Sequence, residues 1–372
     1  MKVLYISPAD QSGYGRAAHG YLQALHSVGV DVVLRRQDLG GNYRGIPPLI
    51  EDLEKKDLSG VTHVIQHTLP HMYQVDTSFK QVGLFAWETS KLPKAWSARL
   101  NRMDAAVVFN RYQQEVSWES GVTVPVHVVP HALDLSRFQE PVGPLQALAD
   151  HLDGGEVTFY AIGEWVTRKN WPALIAGYHL AFPSGGPRLV LKCSVPGLSP
   201  EKSYERIAAD CKKVRDGLGI RQRYNPEIIL PDFLSDGQML QLHRTCDCYV
   251  TTSHGEACNL GMLDAMGSGK PSLVPRQGCF PTYLDDEAAF WMDDWREVPV
   301  TGVTDSLPGL YTADQTWCDV SPGEVADCLT FVRNRLNWRE ARDRKSAAAR
   351  KRSEEFSLEN VGRTLRQVLE EV

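Results

Sequence analysis

A chain of 372 residues is long enough for two domains, each with a full hydrophobic core. Hydrophobic residues make up 42% and charged residues 23%, which is globular chemistry, and the net charge of -6 excludes a molecule whose overall field seeks nucleic acid or acidic membrane. No apolar run approaches the ~18 residues of a membrane span, and Met1–Ser7 stops at Pro8 and Asp10, so it reads as a first strand and not a signal peptide.

All eight cysteines lie at or after Cys193, and no Cys-x-x-Cys occurs. Reduced, mostly buried thiols of a cytoplasmic protein are expected. Cys246-Asp247-Cys248 is too tight for a zinc knuckle, and His254 with Cys258 lacks a second ligand pair, so no metal is expected.

Short β-prone runs alternate with stretches of helical spacing along the chain. Lys2–Ser7 predicts a strand and Gly15–Ser27 a helix, with Ala17, Ala18, Tyr21, Leu22 and Leu25 on its apolar face. Val30–Leu34 predicts the next strand. Gly13 and Gly15, with Ala18, spell G-x-G-x-x-A, and Asp38 lies about 20 residues on, where a dinucleotide-binding protein keeps its ribose acid. This pattern favours an NAD(P)-dependent oxidoreductase. Against it, five residues separate the strand from Gly13, whereas the fingerprint wants its first glycine directly after the strand. Arg16 and His19 are polar candidates beside this loop.

Residues 40–48 predict a loop and 49–56 a short charged helix. Thr62–His67 predicts a strand ending in His67, at a carboxyl end where α/β proteins gather functional groups. Gln81–Ala86 predicts another, followed by Trp87-Glu88-Thr89. A carboxylate at Glu88 is placed to take a proton from an attacking hydroxyl, or to cap a helix starting near Pro93. Strands over 105–109 and 126–129 flank a helix over 111–120.

Residues 141–155 are rich in Pro, Gly and small residues and predict a linker. The expected domains are 1–140 and 156–352, with a terminal helix over 353–372. Val157–Ile162 opens the second domain. Arg168-Lys169 stand before a helix over 171–182, where bases are unfavourable without an anion; a guanidinium fork beside an ammonium suits a diphosphate. Strands over 189–193 and 228–230 follow, with a helix over 204–218 between them. Pro231–Leu234 then leads to a helix begun by Ser235.

A strand over 248–251, a small-residue turn and a helix from Leu260 come next. Such a turn offers backbone N–H groups to an anion, and the acids Glu256 and Asp264 bracket it, suited to sugar or ribose hydroxyls. Arg333–Arg352 is basic, and reads either as a solvated helix face or as a surface for an anionic acceptor or membrane.

Glu256, Asn259, Leu260, Leu263, Ala265, Met266 and Gly269 match the acid-x7-acid motif of retaining glycosyltransferases, and the chain resembles glycosyltransferase family 4 in particular. Ala257 replaces a glycine of that motif and Asp264 its second glutamate. Trp87, Glu88, Leu92, Pro93 and Trp96 resemble one branch of the family. Pro130-His131-Ala132-Leu133-Asp134 and Phe138 resemble the signature that closes its first domain, and Gly163 to Lys169-Asn170 its Gly-x5-Lys-Asn loop.

The resemblance implies an α/β protein of two Rossmann-like domains facing a cleft (the GT-B fold), whose last helix crosses back onto the first domain. It implies a retaining hexosyl- or pentosyltransferase that moves a sugar from a nucleotide-diphosphate sugar to an acceptor hydroxyl without metal or cofactor. Arg168, Lys169, Glu256 and Glu88 are then the expected catalytic residues. Gly13, Gly15, Asn259, Leu260, Asp264 and Leu234 are expected to bind the donor, and Arg16, His19, His67 and Trp87 to touch acceptor or sugar. The acceptor stays open: glycan, lipid, polypeptide, small molecule or modified nucleobase. Besides the oxidoreductase, a non-catalytic sugar-nucleotide-binding protein stays open through Asp264.

Overall fold

The computed structural model describes residues 1–149, 151–152, 155–219, 224–306, 308–336 and 339–372. The chain divides into two compact units. One comprises Met1–Arg137, Glu256–Leu260 and Ser353–Val372; the other comprises Phe138–Gly255 and Gly261–Arg352. Part of the expected linker (150 and 153–154) and part of the basic segment (337–338) lie outside the described residues.

In the first unit the strands are β1 (Lys2–Ser7), β2 (Asp31–Arg36), β3 (His63–His67), β4 (Lys80–Leu84), β5 (Ala105–Val108) and β6 (Val126–Val128). They form one parallel sheet in the order β2-β1-β3-β4-β5-β6. Their near-continuous apolar runs reflect burial of both sheet faces. The order reverses at β1, so the loops after β1 and β3 diverge there, the place where open α/β sheets bind ligands.

The helices are α1 (Gly13–Ser27), α2 (Pro48–Lys55), α3 (Trp96–Leu100) and α4 (Arg111–Glu119). Helix α1 starts two residues earlier than its spacing predicts. The Ser12 hydroxyl accepts the Gly15 N–H at 3.2 Å and so caps the first turn.

The second unit opens with a short helix, α5 (Gln146–Ala149), inside the expected linker. Strands β7 (Thr158–Glu164), β8 (Arg188–Ser194), β9 (Ile228–Leu230), β10 (Cys248–Val250), β11 (Ser272–Pro275) and β12 (Ala289–Met292) form a second sheet. It is parallel, in the order β12-β11-β10-β7-β8-β9, with its switch point between β7 and β10. Helices α6 (Trp171–Ala181), α7 (Pro200–Gly217), α8 (Asp236–Thr245), α9 (Leu260–Gly267), α10 (Phe280–Tyr283), α11 (Pro322–Leu336) and α12 (Arg339–Ser353) complete it. One apolar cluster joins Phe159, Leu189, Leu191 and Leu273 of the sheet to Leu174, Ile175 and Leu329 of the helices.

An antiparallel hairpin, β13 (Trp295–Pro299) and β14 (Thr316–Val320), stands outside the parallel sheet. The sequence gives little sign of it, because β13 carries Arg296 and Glu297 in its middle, both exposed.

Helix α13 (Leu358–Glu371) belongs to the first unit and packs on α1 through Val361, Leu365, Val368 and Leu369, all buried along one face. Leu133 pairs with its approach, donating its N–H to Phe356 O at 2.7 Å. A Cβ on Gly362 would lie 2.2 Å from the Ala24 carbonyl oxygen. Gly362→Ala therefore forces two backbones apart and is expected to cost about 1–3 kcal/mol, read as a lowered denaturation midpoint; an unchanged midpoint would show that the contact yields freely.

Candidate functional site

In the second unit the loops after β7 and β10 flank the switch point, and three hydrogen bonds tie them together. Arg168 Nη1 donates to Gly255 O at 2.7 Å, the His254 N–H donates to Arg168 O at 2.8 Å, and Thr252 Oγ1 donates to Asn170 O at 2.9 Å. Arg168 thus binds the residue that precedes Glu256. Lys169 follows in the same turn, and its stem runs over Gly163: a Cβ there would come 3.2 Å from Lys169 Cε. Both bases are half-buried.

Among the described residues, three non-glycine residues hold left-handed backbone: Ala9 (φ 49°), Asn170 (φ 49°) and Asn259 (φ 62°). Each follows a strand that borders a switch point, β1, β7 or β10. Asparagine tolerates this region better than other residues, and such strain collects where a loop must hold a ligand. Asn170 and Asn259 each stand directly before a helix, α6 and α9. Asn170 is 8% exposed, and its Nδ2 is buried without a hydrogen-bond partner.

Glu256 is 6% exposed, and its Oε1 accepts from Asn259 Nδ2 at 3.4 Å. In the first unit, Asn110 caps α4 by accepting the Gln113 N–H at 2.8 Å, while its Nδ2 donates to Ala257 O at 2.7 Å. The capping role is legible from an asparagine before a helix. A partner 147 positions away is not. Leu260 begins α9, and Asp264 lies half-buried one turn further on. Leu234 lies apart, at the carboxyl end of β9, two strands along from β7.

Around the loop after β1, Gly13 is exposed and Gly15 buried. Arg16 Nη1 donates to Gln11 Oε1 at 3.1 Å. His19 Nε2 lies 3.0 Å from Ala9 O; a carbonyl only accepts, so this nitrogen carries the proton. The Tyr14 hydroxyl joins this loop to the one after β4, accepting the Ala86 N–H at 3.0 Å and donating to Ala86 O at 3.3 Å. Burial pushes its phenol well up, and the Glu88 carboxylate adds to that.

Glu88 is half-buried and does not cap α3, which starts at Trp96 with no side-chain cap. The Trp87 indole is buried against Trp96 and donates to Lys91 O at 2.7 Å. His67 is closed from solvent: Tyr5 OH is 2.7 Å from its Nδ1, and Tyr21 and Phe109 stand edge-on to its ring. Burial lowers its pKa to about 3, so the imidazole is neutral. Asp38, the acid of the oxidoreductase reading, accepts from Gly40 N and Tyr43 OH of its own loop.

Much of the basic segment holds its own unit together. Arg333 pairs with Glu156 at 2.7 Å, Lys345 donates to Asp286 O and Ala289 O, and Arg352 donates to Thr282 O and Tyr283 O. Arg344 and Lys351 remain exposed. Among the described residues, no group of three or more His, Cys, Asp or Glu could hold a metal ion, and no helix is long and apolar enough to cross a membrane.

No protein-family model matches the chain. It is 23% identical over 155 residues to mannosylfructose-phosphate synthase of Agrobacterium fabrum, a match covering 41% of this chain and 33% of that protein. The chain thus spans about a third of that relative's length. Its structure is similar to Alr3699/HepE of Anabaena in complex with UDP and glucose, with a TM-score of 0.66, 12% identity and 100% of both chains covered. It is also similar to a glycosyltransferase from Rickettsia africae, with a TM-score of 0.68, 12% identity, and 100% of this chain and 98% of that one covered. Two parallel six-stranded α/β units, matched along the whole chain, give this protein the GT-B fold.

Proposed function

We propose that this protein is a retaining, metal-independent glycosyltransferase of the family 4 type, moving a hexose or pentose from a nucleotide-diphosphate sugar to an acceptor hydroxyl. The observation that carries this reading is the loop pair at the second switch point, where Arg168 is hydrogen-bonded to the carbonyl next to Glu256 and Lys169 follows it in the turn. Two bases before a helix supply the charge a diphosphate needs, and the buried Asn170 Nδ2 is a donor that a ligand oxygen satisfies. HepE, the structural neighbour that holds UDP and glucose, favours a uridine diphosphate donor.

In this reading the bond from the sugar's anomeric carbon to the diphosphate oxygen breaks as the acceptor oxygen bonds that carbon on the same face. The acceptor's proton passes to the departing phosphate. Arg168 and Lys169 stabilise the charge that grows on the diphosphate, the largest electrostatic demand of the step. Glu256 and Asp264 accept hydrogen bonds from sugar and ribose hydroxyls, with Asn259 and Leu260 at the start of α9 and Leu234 toward the base. Gly13 and Gly15 are assigned to the donor, and Arg16, His19, Trp87 and Glu88 to the sugar and acceptor side. No disulfide joins any of the eight cysteines, and seven of them are buried, which suits a reducing cytoplasmic setting.

A thermal-shift series tests this. A UDP-sugar at about a hundred times its Kd is expected to stabilise the protein by about 2.7 kcal/mol, and an accepted acceptor to release free UDP. Binding with no release under any acceptor would favour a sugar-nucleotide-binding protein. Stabilisation by NAD or NADP in place of nucleotide sugars would favour the oxidoreductase.

A further inference from the structure

The turn Thr167–Lys169 has no side-chain cap of its own, since Val166 precedes it. Two parts of the β13–β14 hairpin hold it instead. Asp305, in the connection between the two strands, accepts from the Thr167 N–H at 2.6 Å and from Thr167 Oγ1 at 2.9 Å. Strand β14 grips His254: the Cys318 N–H donates to His254 O at 2.9 Å, and His254 Nδ1 lies 2.6 Å from Cys318 O. A carbonyl cannot donate, so Nδ1 carries the proton. The imidazole stacks on Trp317 with ring centres 4.6 Å apart and planes 13° from parallel. His254 in turn donates its N–H to Arg168 O. The hairpin therefore reaches the turn at Thr167 directly and at Arg168 through His254.

We propose that the β13–β14 hairpin is a clamp that positions Arg168 and Lys169, with Asp305 and His254 as its positioning residues. The proposal rests on the reading that the two bases hold the donor diphosphate. Asp305 makes it testable, because its charge and its geometry predict opposite effects. A carboxylate near the bases repels a diphosphate, so electrostatics alone makes its removal neutral or favourable for UDP binding. If Asp305 instead fixes the turn, removing it misplaces the bases, and small displacements of positioned charges are costly.

The experiment compares Asp305→Ala, Asp305→Asn and Lys169→Ala for UDP affinity and, with an acceptor, for kcat and KM. Asp305→Ala is expected to lower kcat about tenfold or more and to weaken UDP. Asp305→Asn keeps an acceptor oxygen and is expected to recover most of both. Asp305 is exposed, so the melting temperature is expected to hold in both Asp305 variants. His254→Phe keeps the stack on Trp317, loses the bond to Cys318 O, and is expected to give a smaller loss of the same kind. Equal or tighter UDP binding with undiminished kcat in Asp305→Ala, while Lys169→Ala is impaired, would overturn the clamp alone. If Lys169→Ala also binds and turns over normally, the reading of the bases fails with it.

Discussion

Lys169→Ala is expected to lower turnover at least about tenfold, a barrier increase of 1.36 kcal/mol or more. Loss of a single well-placed transition-state donor elsewhere costs about a hundredfold or more. The Lys169 stem lies over Gly163, where alanine leaves open space and no clash. Arg168 keeps its hydrogen bond to Gly255 O, and Thr252 keeps its bond to Asn170 O, so the two loops stay tied without the lysine. On the proposed function, the variant removes a positive charge from the place where a departing diphosphate would gather negative charge. The effect should therefore fall on kcat more than on donor KM, since only interactions stronger in the transition state accelerate the step. Steady-state release of free nucleotide, with a thermal melt to confirm the fold, checks it; near-normal turnover removes Lys169 from the mechanism.

Glu227→Gln is expected to give the largest loss of stability. Glu227 is buried just before β9; its Oε1 is 2.8 Å from His179 Nε2, and its other oxygen pairs with Arg215. Burial by itself would raise this carboxyl, but the hydrogen bond from His179 and the charge of Arg215 outweigh it, and the pKa lies below its ordinary 4.5. Removing one partner of a buried pair strands the other, at about 3–5 kcal/mol.

The pH dependence follows from the direction of the shift. A carboxyl whose folded pKa is depressed contributes stability that is fully present above 4.5 and is lost as the pH falls through the folded value. The gap in denaturation midpoint between wild type and Glu227→Gln should be widest at neutral pH and close on acidification below 4.5. A gap that stays constant would assign the loss to packing and not to charge.

Much of this protein was legible before folding. Runs such as Ala105-Ala106-Val107-Val108 mark doubly buried strands, and their alternation with helical spacing marks two parallel sheets, because strand and helix periods are local properties of the chain. Ser235 announces α8, since a cap is read from residues within one turn. Arg168-Lys169 are candidates on equally local grounds, because bases at a helix start need an anion.

Tertiary structure decided what locality cannot. Asn110 meets Ala257, Arg168 meets Gly255, and Asp305 meets Thr167 across separations of 147, 87 and 138 residues. The β13–β14 hairpin is hidden in the sequence because its exposed charges break the apolar pattern, and Lys345 and Arg352 of the basic segment donate to carbonyls of their own unit. The physical reason is that periodicity reports which face of an element is buried, whereas a hydrogen bond between distant loops depends on strand order, which only the folded sheet sets.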